Sequence, residues 1–201
     1  MIKRTDKEEL QLKNLLREVE ACRICEDHLS PNPVLRASHT AKLLIIGQAP
    51  GIRVHQTGIP WNDPSGDRLR NWLGLDRDSF YDESKIAIIP MGFCYPGKGK
   101  SGDLPPRKEC SEHWHQKLMA SLPNIEMTLL IGQYAQRKYL PVRYPSLTEN
   151  VRHWRDFFPK YIPMVHPSPR NTYWLQQHPW FEKELVPEIK VYVKKLLDKF
   201  L

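Results

Sequence analysis

Four short apolar runs interrupt an otherwise polar chain: Leu43–Gly47, Ile86–Gly92, Thr128–Gly132 and Tyr161–His166. Each is continuous rather than alternating and ends on Gly or His. A strand covered on both faces needs apolar side chains pointing both ways, so such runs read as buried parallel strands. Elsewhere the apolar spacing changes to threes and fours. Thr5 to Ala21 carries Leu10, Leu12, Leu15, Leu16 and Val19. Ser65 to Leu73 follows residues suited to an N-cap, and Pro106 to Leu122 opens with Pro near its first position and Glu109 in its first turn. Pro179 to Leu201 aligns Phe181, Leu185, Ile189, Tyr192, Leu196 and Leu197 on one stripe, with Pro187 as a kink. This alternation predicts an α/β fold, a three-layer sandwich with a central parallel sheet of about four strands flanked by helices. No repeat, low-complexity tract or linker divides the chain, so residues 1–201 read as one domain.

Composition narrows the class. Hydrophobic residues make up 40% of 201 and charged ones 26%, enough for a real core. Eighteen prolines, against an ordinary share of about 5%, exclude a coiled coil and predict loops of fixed shape. The net charge of +7 agrees with a polyanionic partner, nucleic acid first, without singling it out. The start, MIKRTDKEEL, has no apolar core of a signal peptide, and no stretch approaches a membrane span. A monomer in a reducing cytoplasm is the expectation. There, four cysteines suit ligands better than disulfides.

Those cysteines form two pairs, Cys22-x2-Cys25 at the end of the first helix and Cys94-x15-Cys110 around a Gly/Pro/Lys loop. A four-thiolate set suits tetrahedral zinc or a 4Fe–4S cluster, and spacing does not choose between them; four separate buried thiols are the plain alternative. Either group would staple an N-terminal helix over about residues 5–25 to the loop after the second strand. Gly99-Lys100-Ser101 imitates the end of a phosphate loop, but Cys94 stands where that motif needs Gly. Lys98, Lys100, Arg107 and Lys108 read instead as a basic loop for phosphates or solvent. In Val151–Phe158, a candidate basic contact face, Trp154, Phe157 and Phe158 read rather as core.

Ligands of open α/β sheets sit beyond the carboxyl ends of the strands. Two loops there stand out, Gly47-Gln48-Ala49-Pro50-Gly51 and His166-Pro167-Ser168-Pro169-Arg170-Asn171. Their prolines fix the direction of backbone N–H and C=O groups, and His166 is placed to donate to charge developing on a leaving group. With Gly58-Ile59-Pro60-Trp61 between them, and Leu130-Ile131-Gly132 followed by Ala135, this chain resembles the uracil-DNA glycosylase superfamily from Cys22 to about Asn171. The likeness is nearest to the iron–sulfur families four and five, and it implies a structural 4Fe–4S cluster on Cys22, Cys25, Cys94 and Cys110.

The resemblance implies a monofunctional DNA glycosylase that hydrolyses the bond between a deaminated base and its sugar, leaving an abasic site. Trp61 would stack on the extruded base, within a pocket of Gly47, Gln48, Ala49 and His55. His166 would donate to the base oxygen. Family four has Glu where this chain has Gln48, and family five uses an Asp after the aromatic, which points to Asp63 as general base or oxocarbenium stabiliser; its other role is to cap the helix that follows. Pro50, Gly51, Ser65, Gly66, Ser168, Pro169, Arg170 and Asn171 would hold DNA phosphates or press into the minor groove. One departure bears on specificity: Pro90 stands where related enzymes carry the Asn that reads uracil, so hypoxanthine or xanthine enters the substrate range. The rivals are an inactive or altered nucleic-acid-binding relative and, more remotely, a zinc-stapled hydrolase.

Overall fold

In the computed structural model, which describes residues 4–198, the first apolar run is the strand β1 (Leu43–Ile46), and it sets the parity of the whole core. It pairs in parallel with β2 (Ile86–Ile88) on one side and β3 (Met127–Ile131) on the other, and β3 pairs in parallel with β4 (Tyr161–Met164). The order is therefore β2-β1-β3-β4. Leu43 and Ile45 enter one apolar layer while Leu44 and Ile46 enter the other, as the two-residue period of a strand requires. Pro163 lies in β4, an outer strand, where a missing N–H leaves no ladder partner unsatisfied. At the opposite edge Arg36 forms an antiparallel bridge with Ile88, covering β2.

Helices fill both outer layers. In chain order they are α1 (Arg4–Glu20), α2 (Ile52–Thr57), α3 (Pro64–Leu73), α4 (Arg77–Tyr81), α5 (Lys108–His113), α6 (His115–Ala120), α7 (Gln133–Tyr139), α8 (Leu147–Arg152), α9 (Thr172–Gln177) and α10 (Val186–Asp198). Leu69, Trp72 and Leu73 of α3 pack with Ile189, Val193 and Leu196 of α10 on one face. Leu12 and Val19 of α1 and Leu118 of α6 pack on the other. Each buried Leu, Ile or Val side chain is worth about 1.5–3 kcal/mol, which makes Ile45→Ala a loss of about 2–5 kcal/mol.

Three helix boundaries differ from the sequence expectation. The helix over 106–122 is broken at Trp114, whose indole N–H donates to Cys22 Sγ at 3.4 Å. The last helix opens with a π-type turn, Phe181–Leu185, which runs directly into α10, and Pro187, with no N–H to donate, follows that turn. Its expected continuation over 199–201 lies outside the described residues. The six-residue α2, directly after the first glycine-proline loop, was not expected; Gly58 closes it at φ 65°, a left-handed conformation that a side chain resists. Among the described residues no helix is long and apolar enough to cross a membrane.

Candidate active site

Past the carboxyl ends of β1, β2 and β4 lies a cavity of about 440 Å³, within the usual range of about 300–1,000 Å³ for small-molecule sites. The loop after β1 contributes Gly47, Gln48, Ala49, Pro50 and Gly51, and the loop after β4 contributes His166, Ser168, Arg170 and Asn171. Trp61, Asp63 and Ser65, from the approach to α3, complete the group. The extension of β2 forms the wall, since Met91 N donates to Gly47 O at 2.9 Å and Gly92 N to Gln48 O at 3.0 Å. Pro90 lies in that wall. Its carbonyl accepts from His115 Nε2 at 3.0 Å, and the other ring nitrogen of His115 accepts from Tyr139 Oη. Pro90 therefore offers the cavity no donor, and its carbonyl is engaged by His115.

His166 is held in one tautomer. Ser168 N donates to its Nδ1 at 3.2 Å, so a neutral ring carries its proton on Nε2. Burial pushes its pKa below the ordinary histidine value, against the opposing pull of the nearby Asp63 carboxylate. The ring is thus neutral at pH 7, with Nε2–H left for whatever enters. Asn171 Nδ2 braces this loop by donating to His166 O at 2.8 Å, and Arg68 Nη1 donates to Ser168 O at 3.2 Å.

Trp61 lies against His166, ring centroids 5.5 Å apart and planes tilted by 34°. Its backbone is left-handed, φ 57°, a conformation costing a non-glycine residue about 1–3 kcal/mol and concentrated at functional sites. Two glycines make room for it: a Cβ on Gly47 would come within 2.8 Å of the indole, and one on Gly66 within 1.7 Å of the Trp61 carbonyl. Asp63 caps α3, its Oδ1 accepting from Gly66 N at 2.8 Å, and leaves its second oxygen in the cavity lining.

Three expected contacts fall elsewhere. His55 does not line the cavity: its Nδ1 faces Tyr95 N at 3.4 Å and its carbonyl accepts from Asn32. The position on α2 sets that ring against Tyr95, 6.1 Å between centroids, outside the cavity lining. Gly66 presents no free amide to a phosphate, because the Asp63 carboxylate takes it. Pro169 begins a short 3-10 turn beside the cavity rather than in its lining.

The largest omission from the sequence reading is a hairpin, Lys98–Asp103, that crosses the mouth. Ser101, Gly102, Asp103 and Leu104 line the cavity. Arg170 Nη1 donates to Ser101 O at 3.3 Å, and Asp103 Oδ1 accepts from Tyr95 Oη at 3.2 Å. Asp103 is a second carboxylate of the site. Gly97, Gly99 and Gly102 carry the turn signal for this hairpin.

On the far side of Gly92 and Phe93, Cys22, Cys25, Cys94 and Cys110 line a second pocket together, with Leu29, Pro31 and Pro33. None is in a disulfide. Burial raises the Cys110 thiol to about 12 and raises Cys94 and Cys25 as well. Cys22 Sγ accepts from the Trp114 indole N–H at 3.4 Å, and the Arg107 guanidinium, in the lining of the same pocket, pulls the Cys25 thiol back down. Four thiols lining one pocket, two buried and two half-buried, are of the residue type that ligates zinc or an iron–sulfur cluster. Among the described residues no three His, Cys, Asp or Glu side chains form a group that would hold a metal ion.

A family model described as the uracil DNA glycosylase superfamily matches residues 36–190. The chain belongs to that superfamily. A solved structure, wild-type SMUG2 of Pedobacter heparinus, is similar over 96% of this chain and 84% of its own, at 14% identity and a TM-score of 0.35. That likeness is loose, and the architecture above rests on this chain's own strand pairing. The uracil-DNA glycosylase match takes in β1 to α9 and every cavity-lining residue except Val34; Cys22 and Cys25 precede it.

Proposed function

We propose that this uracil-DNA glycosylase superfamily member hydrolyses the N-glycosidic bond of a deaminated base in DNA. A base extruded from the stack enters the cavity and stacks on Trp61. As the bond breaks, negative charge grows on the base and positive character on the sugar. The neutral His166 donates from Nε2 to the base oxygen; donors of this kind are worth about 10²–10³ in rate. Asp63 faces the sugar with its uncapped oxygen, stabilising the cationic ring and taking a proton from the attacking water. Arg170, Ser168, Asn171 and the Pro50–Gly51 backbone face the flanking phosphates. The observation that carries this reading is the tautomer of His166, held by Ser168 N at 3.2 Å beside Trp61.

Specificity departs from a uracil-reading amide. Pro90 brings no donor, so edge recognition falls on Gln48 and the backbone, with Asp103 at the rim. Cys22, Cys25, Cys94 and Cys110 would hold a 4Fe–4S cluster, which supplies a covalent tie between the end of α1, the β2 extension and α5. A brown protein with broad visible absorption is the expected preparation; a colourless one with a single zinc contradicts the cluster. Oligonucleotides bearing uracil, hypoxanthine or xanthine, incubated with the protein and then alkali, test the reaction. Strand cleavage at a modified position is expected. Tight, salt-dependent binding without cleavage on any of them would leave only the nucleic-acid-binding alternative.

A further inference from the structure

Trp61 owes its place in the cavity to something beyond its own loop. We propose that Arg70 and Tyr81, which do not line the cavity, are positioning residues that clamp the Pro60–Trp61 backbone and so hold the indole in its stacking position. The inference rests on the glycosylase reading of the cavity and deepens it.

The two side chains secure consecutive carbonyls. Tyr81 Oη donates to Pro60 O at 2.8 Å, and Arg70 Nη1 donates to Trp61 O at 3.3 Å. They also meet each other, Arg70 Nη1 donating to Tyr81 Oη at 3.3 Å. The left-handed φ of 57° turns the Trp61 carbonyl toward the start of α3, where Gly66 alone leaves it space. In an extended conformation the same carbonyl would leave Arg70, so these hydrogen bonds select the strained backbone over the relaxed one.

The clamp is itself held firmly. The Arg70 side chain is only 8% exposed, and its other nitrogen pairs with Asp67 at 2.5 Å, whose own side chain is 74% exposed. A guanidinium drawn inward from an exposed partner serves more than a surface ion pair, which alone is worth little. Arg36 and Arg77 lie on the Tyr81 ring, 5.3 and 5.1 Å from its centroid, fixing the phenol. At the far end, the indole is confined between Gly47 and His166. A relaxed Trp61 would leave His166 without its stacking neighbour and the base without its platform.

Tyr81→Phe removes one oxygen and little packing, and Arg70→Lys keeps the charge but not the fork. Each is combined with Trp61→Phe in a double-mutant cycle, read by single-turnover excision from a duplex bearing the base the wild type accepts. Each is expected to slow excision about tenfold when Trp61 is present and less than about twofold when it is replaced. Acrylamide quenching of the free protein, taken as the difference between Trp61 and Trp61→Phe forms, is expected to rise in both variants. Equal losses in both backgrounds, or quenching that does not change, would overturn the clamp. A wild type inert on all three bases would defeat the glycosylase reading, while the quenching difference would still decide whether Arg70 and Tyr81 hold Trp61.

Discussion

The cavity and the four-cysteine pocket share a wall, the segment from Pro90 to Cys94, yet they present different chemistry. In the cavity, side chains are fixed through one atom and left open at another. His166 accepts at Nδ1 and keeps Nε2; Asp63 caps α3 with one oxygen and keeps the second; Asp103 accepts from Tyr95 with one oxygen of two. In the cysteine pocket four sulfurs face Pro, Leu and Phe with Arg107 beside them, and Cys22 accepts from Trp114. Two histidines, His166 at the cavity and His115 in the core, repeat the contrast. His115, behind the shared wall, uses both ring nitrogens on Tyr139 and Pro90, and nothing remains for a ligand. The cavity keeps open atoms on side chains fixed elsewhere, whereas His115 behind the wall keeps none; beside the cysteines, Arg107 Nε and Glu109 Oε2 are buried without a partner.

The comparison breaks most sharply at Asp63. Asn caps a helix about as well as Asp, so Asp63→Asn is expected to keep the melting temperature while lowering excision by about 10²–10⁴. A variant that lost stability instead would make Asp63 a cap alone. On the other side of the wall, Cys110→Ser is expected to bleach the visible absorption and cost more than about 3 kcal/mol of stability. The excision rate of the folded fraction should stay within a few-fold of wild type, as measured by denaturation paired with single-turnover kinetics.

His115 sharpens the contrast through pH. Its pKa is lowered to about 4 by burial, against an unfolded value of about 6.5. The unfolded chain therefore binds the extra proton between those values, and stability falls as pH drops from about 6.5 to about 4, by about 3 kcal/mol in all. His115→Gln should flatten that part of a urea-denaturation series taken across pH. The smallest expected effect is at the rim. Arg170→Ala should weaken DNA binding alike for every base and lower the slope of log affinity against log salt by about one, with the rate at saturation little changed.

The sheet was legible because a doubly covered strand has one pattern, unbroken apolar residues, and all four runs became strands. The two loops after β1 and β4 were legible for a similar reason, since Pro and Gly restrict backbone shape in the sequence itself. The hairpin at the mouth was not, because its paired segments are two residues each and carry no apolar alternation. The break at Trp114 was equally hidden, because it answers to a sulfur 92 positions away. His55 shows the reverse error: its place in the sequence beside the cavity loop suggested a pocket residue, but the short α2 carried it out of the lining.

The central claim is that the cavity breaks a glycosidic bond with His166 as the donor to the leaving base. Single-turnover excision by His166→Ala, with enzyme saturating, tests it most directly. The expected result is a rate lowered by about 10²–10³ with DNA affinity within a few-fold of wild type. A wild-type rate from the alanine variant would contradict it.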